Sequence, residues 1–184
     1  MKRAAKYVIP LAAVAAAGID EPADAGDLFL KIDGVTGEAT QAPFQDDIDI
    51  LAWSWGLTNS STATGIGSGT GTVALGDIKV IKSIDAATPN LLEAVATGDS
   101  FATASIHSTV PDGKGGEVDI VRLELTNVVV TKLTHGGKDT EDGVAETLNL
   151  NFGKVHLKYF SAAKDGTTVA KGDYCWDVAQ NTKC

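Results

Sequence analysis

The run GIGSGTG, residues 65–71, has the glycine density of a loop that cradles phosphate on backbone N–H groups. A dinucleotide-binding turn must open a helix, and a P-loop must end in Gly-Lys-Ser/Thr. This run leads instead into TVALGDIKVI, which reads as strand, so nucleotide chemistry is set aside. GDSFA, residues 98–102, has the outline of a nucleophile elbow around Ser100. It follows a helical pattern and enters a strand, the reverse of the order an elbow needs, and is better read as a helix stop.

His107, His135 and His156 fall on separate strands or turns, none with a second ligand two or four residues away, so no preformed metal site is expected. The acidic clusters Asp46, Asp47, Asp49 and Asp139, Glu141, Asp142 could be calcium ligands or paired catalytic carboxylates. The second lacks the EF-hand spacing, and solvated turns explain both. No enzyme site and no cofactor are expected from these residues. Cys175 and Cys184 are the only cysteines and bracket the last stretch, YCWDVAQNTKC. In an oxidising compartment they could close a disulfide; in a reducing one they would be idle thiols.

These residues sit in a chain of 184 residues with 43% hydrophobic content, enough for one domain with a sizeable core. The net charge of −9, with basic residues scattered among acids, argues against nucleic acid as a partner. Residues 1–25 have a basic start (Lys2, Arg3, Lys6), an apolar run from Tyr7 to Ile19 and small residues at Ala23 and Ala25. That is the layout of a secretory signal peptide cleaved before Gly26, implying a secreted protein; an N-terminal arm packing on a neighbouring subunit is the alternative. Residues 26–184 hold no apolar stretch of the roughly 20 residues needed to span a bilayer, so no membrane span is expected in the mature domain.

Twenty glycines and abundant Thr and Ser favour strands and turns, so an all-β fold with one short helix is expected. Apolar residues alternate with period two: Leu28, Leu30, Ile32; then Leu51, Trp53, Trp55, Leu57 on one face and Ile48 and Ile50 on the other, which reads either as a strand apolar on both sides, one face core and the other a subunit contact, or as one bulged near Leu51; then Val121, Leu123, Leu125. Leu148, Leu150 and Phe152 alternate with asparagines until the phase slips at Gly153, which predicts a bulge there. ATPNLLEAVATG predicts the helix, with Thr88 as N-cap, Pro89 first, Gly98 as stop and an apolar stripe of Leu91, Leu92 and Val95. Residues 58–72 and 108–117 lack periodicity and are expected to be loops.

Taken in order, DLFLKIDGVTGEAT, IDILAWSWGL, DIKVIKSIDAATPNLLEAVATG and ETLNLNFGKVHLKYF, with WDV near the end, resemble the Hcp family, the tube protein of bacterial type VI secretion systems. The resemblance covers about residues 27–181. It implies a small antiparallel barrel of two sheets with one flanking helix, six-membered rings, and rings stacked as a hollow tube whose partners are spike, sheath and effector proteins. It also implies that the long loop after SWG reaches a neighbouring ring, here through Thr58, Asn59, Ser60, Thr64, Gly65, Gly67, Gly69 and Thr70. Members of that family ordinarily begin near the FLKIDG strand, so the leader and the terminal cysteines depart from the pattern. They raise the alternative of an Hcp-like protein exported to build extracellular tubes or filaments.

Overall fold

A computed structural model describes residues 26–59, 73–137, 144–163 and 165–184. In chain order the elements are β1 (Leu28–Ile32), β2 (Ile48–Asp49), β3 (Ala52–Ser54), β4 (Leu57–Asn59), β5 (Val73–Leu75), β6 (Ile78–Ser83), α1 (Thr88–Thr97), β7 (Ser100–Pro111), β8 (Glu117–Gly137), β9 (Val144–Ala162), β10 (Thr168–Asp177) and β11 (Thr182–Lys183). The fold is mainly antiparallel β with one short helix, as the alternation implies. No helix among the described residues is long and apolar enough to cross a membrane.

The hydrogen-bonded circuit runs β1–β7–β8–β9–β6–β3, and the segment carrying β2 and β3 closes it by returning to β1. Closure depends on a handover between Ile50 and Leu51. Ile50 donates its N–H to Leu28 O, while Leu51 donates to Ile81 O, so one short segment leaves β1 and joins β6. The break thus falls at Leu51, where the sequence offered a bulge as one alternative, and a strand apolar on both sides is not formed. Ile48 and Ile50 are buried, Trp53 and Trp55 half-buried, and Leu51 is exposed. Strands β10 and β11 extend the sheet beyond the C-terminal half of β9.

The barrel interior is filled from the inward phase of every strand: Leu30 and Ile32, Ile78 and Val80, Ala104 and Ile106, Leu123 and Leu125, Leu148 and Leu150. Burying each Leu, Ile or Val among them contributes about 1.5–3 kcal/mol. In β8 the inward phase switches from Leu123 and Leu125 to Val128 and Val130, and in β9 from Phe152 to Val155. Both switches meet at one point, because Asn127 has φ 54° and lies against Gly153. Pairing of Thr126 with Lys154 and of Val128 with Phe152 keeps the same register across it. The phase slip at Gly153 is therefore shared by both strands and is not the bulge expected there. The register shift in this pair lies between Val130 and Lys132.

Helix α1 packs on the barrel through Leu91 and Ala94, both buried, with Val95 half-buried and Leu92 exposed. The stripe is thus narrower than Leu91–Leu92–Val95. Ala87, not Thr88, occupies the N-cap, because the Thr88 hydroxyl is engaged by buried charges beneath the helix. Gly98 ends the helix in the left-handed region (φ 76°) and donates to Ala94 O, as its position predicts.

Residues 33–47 fold over the outer face of β1 and β7 and create a second apolar cluster of Phe29, Ala39 and Phe44, the two rings stacked at 4.5 Å. This loop is bonded to itself: Gly37 N donates to Asp46 O, Ala39 N to Asp47 O, and Asp46 N to Ala39 O. A Cβ on Gly37 would stand 2.2 Å from Asp47 O, so only glycine lets the two segments meet. Gly37→Ala is expected to cost about 2 kcal/mol, lowering the thermal midpoint by roughly 4–8 °C for a domain of this size. An unchanged midpoint would mean that the loop is not held in this close approach.

Candidate assembly surface

After Trp55 the chain leaves the barrel. β4 and β5 form a separate two-stranded ladder, Leu57 facing Leu75, Thr58 facing Ala74 and Asn59 facing Val73. Gly56 and Gly76 are joined at its base, where Gly76 N donates to Gly56 O and the Trp55 indole N–H donates to Gly76 O. The Trp55 ring in turn meets Phe152 edge-on, with centroids 6.0 Å apart, which anchors the arm to the barrel. Leu57, Thr58, Asn59 and Ala74 are exposed. Thr58 and Asn59 therefore belong to a hairpin stem and not to the loop assigned to them. Ser60, Thr64, Gly65, Gly67, Gly69 and Thr70 lie outside the described residues.

At the opposite end of the sheet, β10 offers an outer edge on which β11 pairs only with Trp176 and Asp177. Residues Thr168 to Asp173 are exposed. Cys175 and Cys184 are joined as a disulfide with Cα atoms 5.4 Å apart, which ties the C-terminal hairpin to the end of β10. Exposed apolar side chains include Leu51, Leu57, Ile84, Val144, Tyr159 and Val169. Of these, Leu57 on β4 and Val169 on β10 stand where the strand's other edge is unpaired among the described residues, a setting that suits contacts between copies of a chain.

The titratable residues fall into separate groups. Lys82 and Glu146 are fully buried cross-strand partners on β6 and β9, their charged atoms 2.6 Å apart. Lys82 Nζ also meets Asp85 Oδ1 at 2.7 Å and donates to Thr88 Oγ1 at 3.2 Å, while Glu146 accepts from Thr88 at 2.8 Å and pairs with His135 at 2.6 Å. Burial pushes the Glu146 carboxyl up, but hydrogen bonds from Lys82 and Thr88, the Lys82 charge and the His135 contact outweigh it and hold the group below its usual range. This network ties the start of α1 to the barrel.

On the outer face, His107 Nδ1 lies 2.8 Å from Asp119 Oδ1, and Ser105 Oγ lies 2.8 Å from His107 Nε2. Arg122 Nε donates to the second oxygen of Asp119 at 2.7 Å. His156 sits elsewhere, 3.2 Å from Asp173, so the three histidines stay apart. Nothing in the sequence reading singled out Ser105 or Asp119. The available signal was the Ser-x-His spacing, which places both side chains on one face of a strand.

The acidic cluster Asp46, Asp47, Asp49 does not converge. Asp47 is buried and paired with Lys31, Asp46 is exposed in the left-handed region, and Asp49 is held above its usual range by burial and by the charges of Asp27, Asp85 and Glu38. Asp139, Glu141 and Asp142 lie outside the described residues. Among the described residues, no three of His, Cys, Asp or Glu are grouped to hold a metal ion.

Comparison with known proteins places this arrangement. A family model for the type VI secretion system effector Hcp matches residues 29–159. Protein hcp1 of Pseudomonas aeruginosa is 37% identical over 162 residues, which cover 85% of this chain and 98% of that protein. A type six secretion system protein of known structure superposes with a TM-score of 0.78 at 25% identity, over 87% of this chain and 100% of its own. Hcp1 from Salmonella typhimurium gives a TM-score of 0.70 at 25% identity, over 87% of this chain and 99% of its own. With the barrel, the flanking helix and the hairpin arm all inside the matched span, the chain belongs to the Hcp family of type VI secretion proteins.

Proposed function

We propose that the chain is a structural subunit that assembles head to tail into six-membered rings, which stack as the hollow tube of a type VI secretion system. The observation that carries this reading is family membership across the whole barrel. The β10 edge and the exposed apolar residues supply material for a heterologous interface, and such an interface closes into a ring when the rotation between copies permits. Spike, sheath and effector proteins are the partners this reading implies. Native mass spectrometry of the full chain at micromolar concentration should find six copies. A monomer at all concentrations up to the millimolar range would sink the proposal.

A second reading, export by the general secretory route to form tubes or filaments outside the cell, is favoured by the bonded pair Cys175–Cys184 and by the tripartite leader. It predicts that native extracellular protein begins at Gly26 and titrates no free thiol when denatured without reductant. Intact mass and thiol titration of the same sample check both. A species starting at Met1 with two free thiols would leave only the first reading. Under oxidation the clip closes a short loop worth about 2–3 kcal/mol through the unfolded chain.

A further inference from the structure

The outer face of β7 and β8 carries a chain of hydrogen-bonded polar groups. Ser105 and His107 alternate outward on β7 while Ala104 and Ile106 fill the core. Asp119 reaches the same face because the β7–β8 register shifts, Ser108 pairing with Val121 but Thr109 with Asp119. The extra residue, Ile120, turns Asp119 over to the side of Arg122, as bulges do when they re-aim a side chain. The result is a continuous series, Ser105 Oγ to His107 Nε2 at 2.8 Å and His107 Nδ1 to Asp119 Oδ1 at 2.8 Å.

The surroundings differ along that series. Asp119 and His107 are buried, and the Phe44 ring covers His107 at 4.9 Å, so the imidazole and its carboxylate are screened from water. Burial raises the Asp119 carboxyl, but the His107 hydrogen bond and charge, with Arg122, hold it ionised below its usual range. Ser105 by contrast lines an open cleft of about 340 Å³ with Lys31, Thr103, Glu124 and Thr126. Lys31 and Glu124 are its direct neighbours across the β1 and β8 ladders. Glu124 is held by Lys158 at 2.8 Å, while Lys31, 64% exposed, lines the cleft and has its ammonium 3.4 Å from Asp47.

We propose that Ser105, His107 and Asp119 form an acyl-transfer site for small carboxylic esters. His107 Nε2 takes the Ser105 proton as Oγ bonds to the ester carbonyl carbon, and the carbonyl oxygen becomes an oxyanion near the Lys31 ammonium. Collapse breaks the bond to the alkoxy leaving group, which receives the proton from His107 and departs as alcohol. Water, deprotonated by the same imidazole, then attacks the acyl-serine and releases the carboxylic acid with Ser105 restored. Asp119 orients the ring and supports its charge, the role a buried carboxylate plays in such constellations. A barrel that serves as a structural subunit can carry a site of this kind on one face.

The test uses the folded full chain, a fluorophosphonate probe and p-nitrophenyl acetate, with peptide mapping by mass spectrometry. Labelling is expected at Ser105, at least tenfold above that of heat-denatured protein, and hydrolysis should show a burst of p-nitrophenol. Ser105→Ala, nearly isosteric and therefore expected to fold, should abolish both. His107→Gln should reduce labelling at Ser105 at least tenfold with the thermal midpoint retained. Ser108→Ala, on the Trp53 indole instead of the cleft, should change neither. Labelling no greater than in denatured protein, hydrolysis that survives Ser105→Ala, or labelling at Ser105 indifferent to His107→Gln would each overturn the proposal and leave the series a structural hydrogen-bond chain.

Discussion

Lys82→Met is expected to destabilise the barrel by about 3–5 kcal/mol, because breaking a buried ion pair strands the partner charge. Lys82 is fully buried, and its ammonium serves Glu146, Asp85, Thr88 and the Ser83 carbonyl at once. Methionine fills nearly the same volume, so the loss would report charge and hydrogen bonds, not a cavity. Single domains are stable by about 5–15 kcal/mol, so the effect is a large fraction of the whole. Replacing both charges, Lys82→Met with Glu146→Leu, should cost less than Lys82→Met alone, since no carboxylate is then left buried opposite the new apolar group. Urea unfolding of the three proteins measures this. A single variant within about 1 kcal/mol of the parent would mean that Glu146 finds enough support from Thr88 and His135.

The same pair sets an acid limb. Folding holds the Glu146 carboxyl below its unfolded value, so the stabilisation is complete above the unfolded glutamate pKa, about 4.3, and is lost as pH falls through the lower folded value. The parent should therefore lose stability on acidification in that window. In Lys82→Met burial acts without the ammonium, the carboxyl moves up, and this limb should flatten or reverse.

Both members of that pair were legible as a problem in the sequence. Lys82 continues the inward phase of Ile78 and Val80, and Glu146 precedes Leu148, Leu150 and Phe152 in the same phase. Each charge in core register is readable from its own strand, but that Lys82 faces Glu146 follows only from the β6–β9 register. It also explains the Thr88 miss: local capping rules favour its hydroxyl at the helix start, but the buried charges offer stronger partners. Phe29 was not readable, since it stands out of phase with Leu28, Leu30 and Ile32 and is buried only because residues 33–47 return over it. The Ser105–His107–Asp119 series failed for a similar reason. Its third member depends on a register shift at Ile120 that no local pattern announces. Alternation within strands was visible; contacts made by loops and bulges between distant segments were not.

If the chain assembles as proposed, replacing residues 60–70 by a short turn should leave the barrel folded and the ring intact while tubes shorten to single rings. The described stem limits what the deletion can disturb. Among the described residues β4 and β5 pair only with each other, and the Gly56–Gly76 and Trp55–Gly76 bonds tie the base of the ladder. Leu57, Thr58, Asn59 and Ala74 are exposed along this stem. Loops longer than roughly 12–15 residues in compact domains are usually functional or disordered, and removing a merely disordered one would change little. Leu57→Asp is a milder probe of the same surface, placing a charge on an exposed apolar side chain with a stability change of about 0.5 kcal/mol or less. Negative-stain electron microscopy counts ring stacks, and native mass spectrometry confirms the ring itself. If both proteins stack as readily as the parent, the arm takes no part in joining rings. If the shortened protein loses its rings as well, the arm contributes to contacts within a ring, and the division between strand edges for closure and hairpin for stacking is wrong.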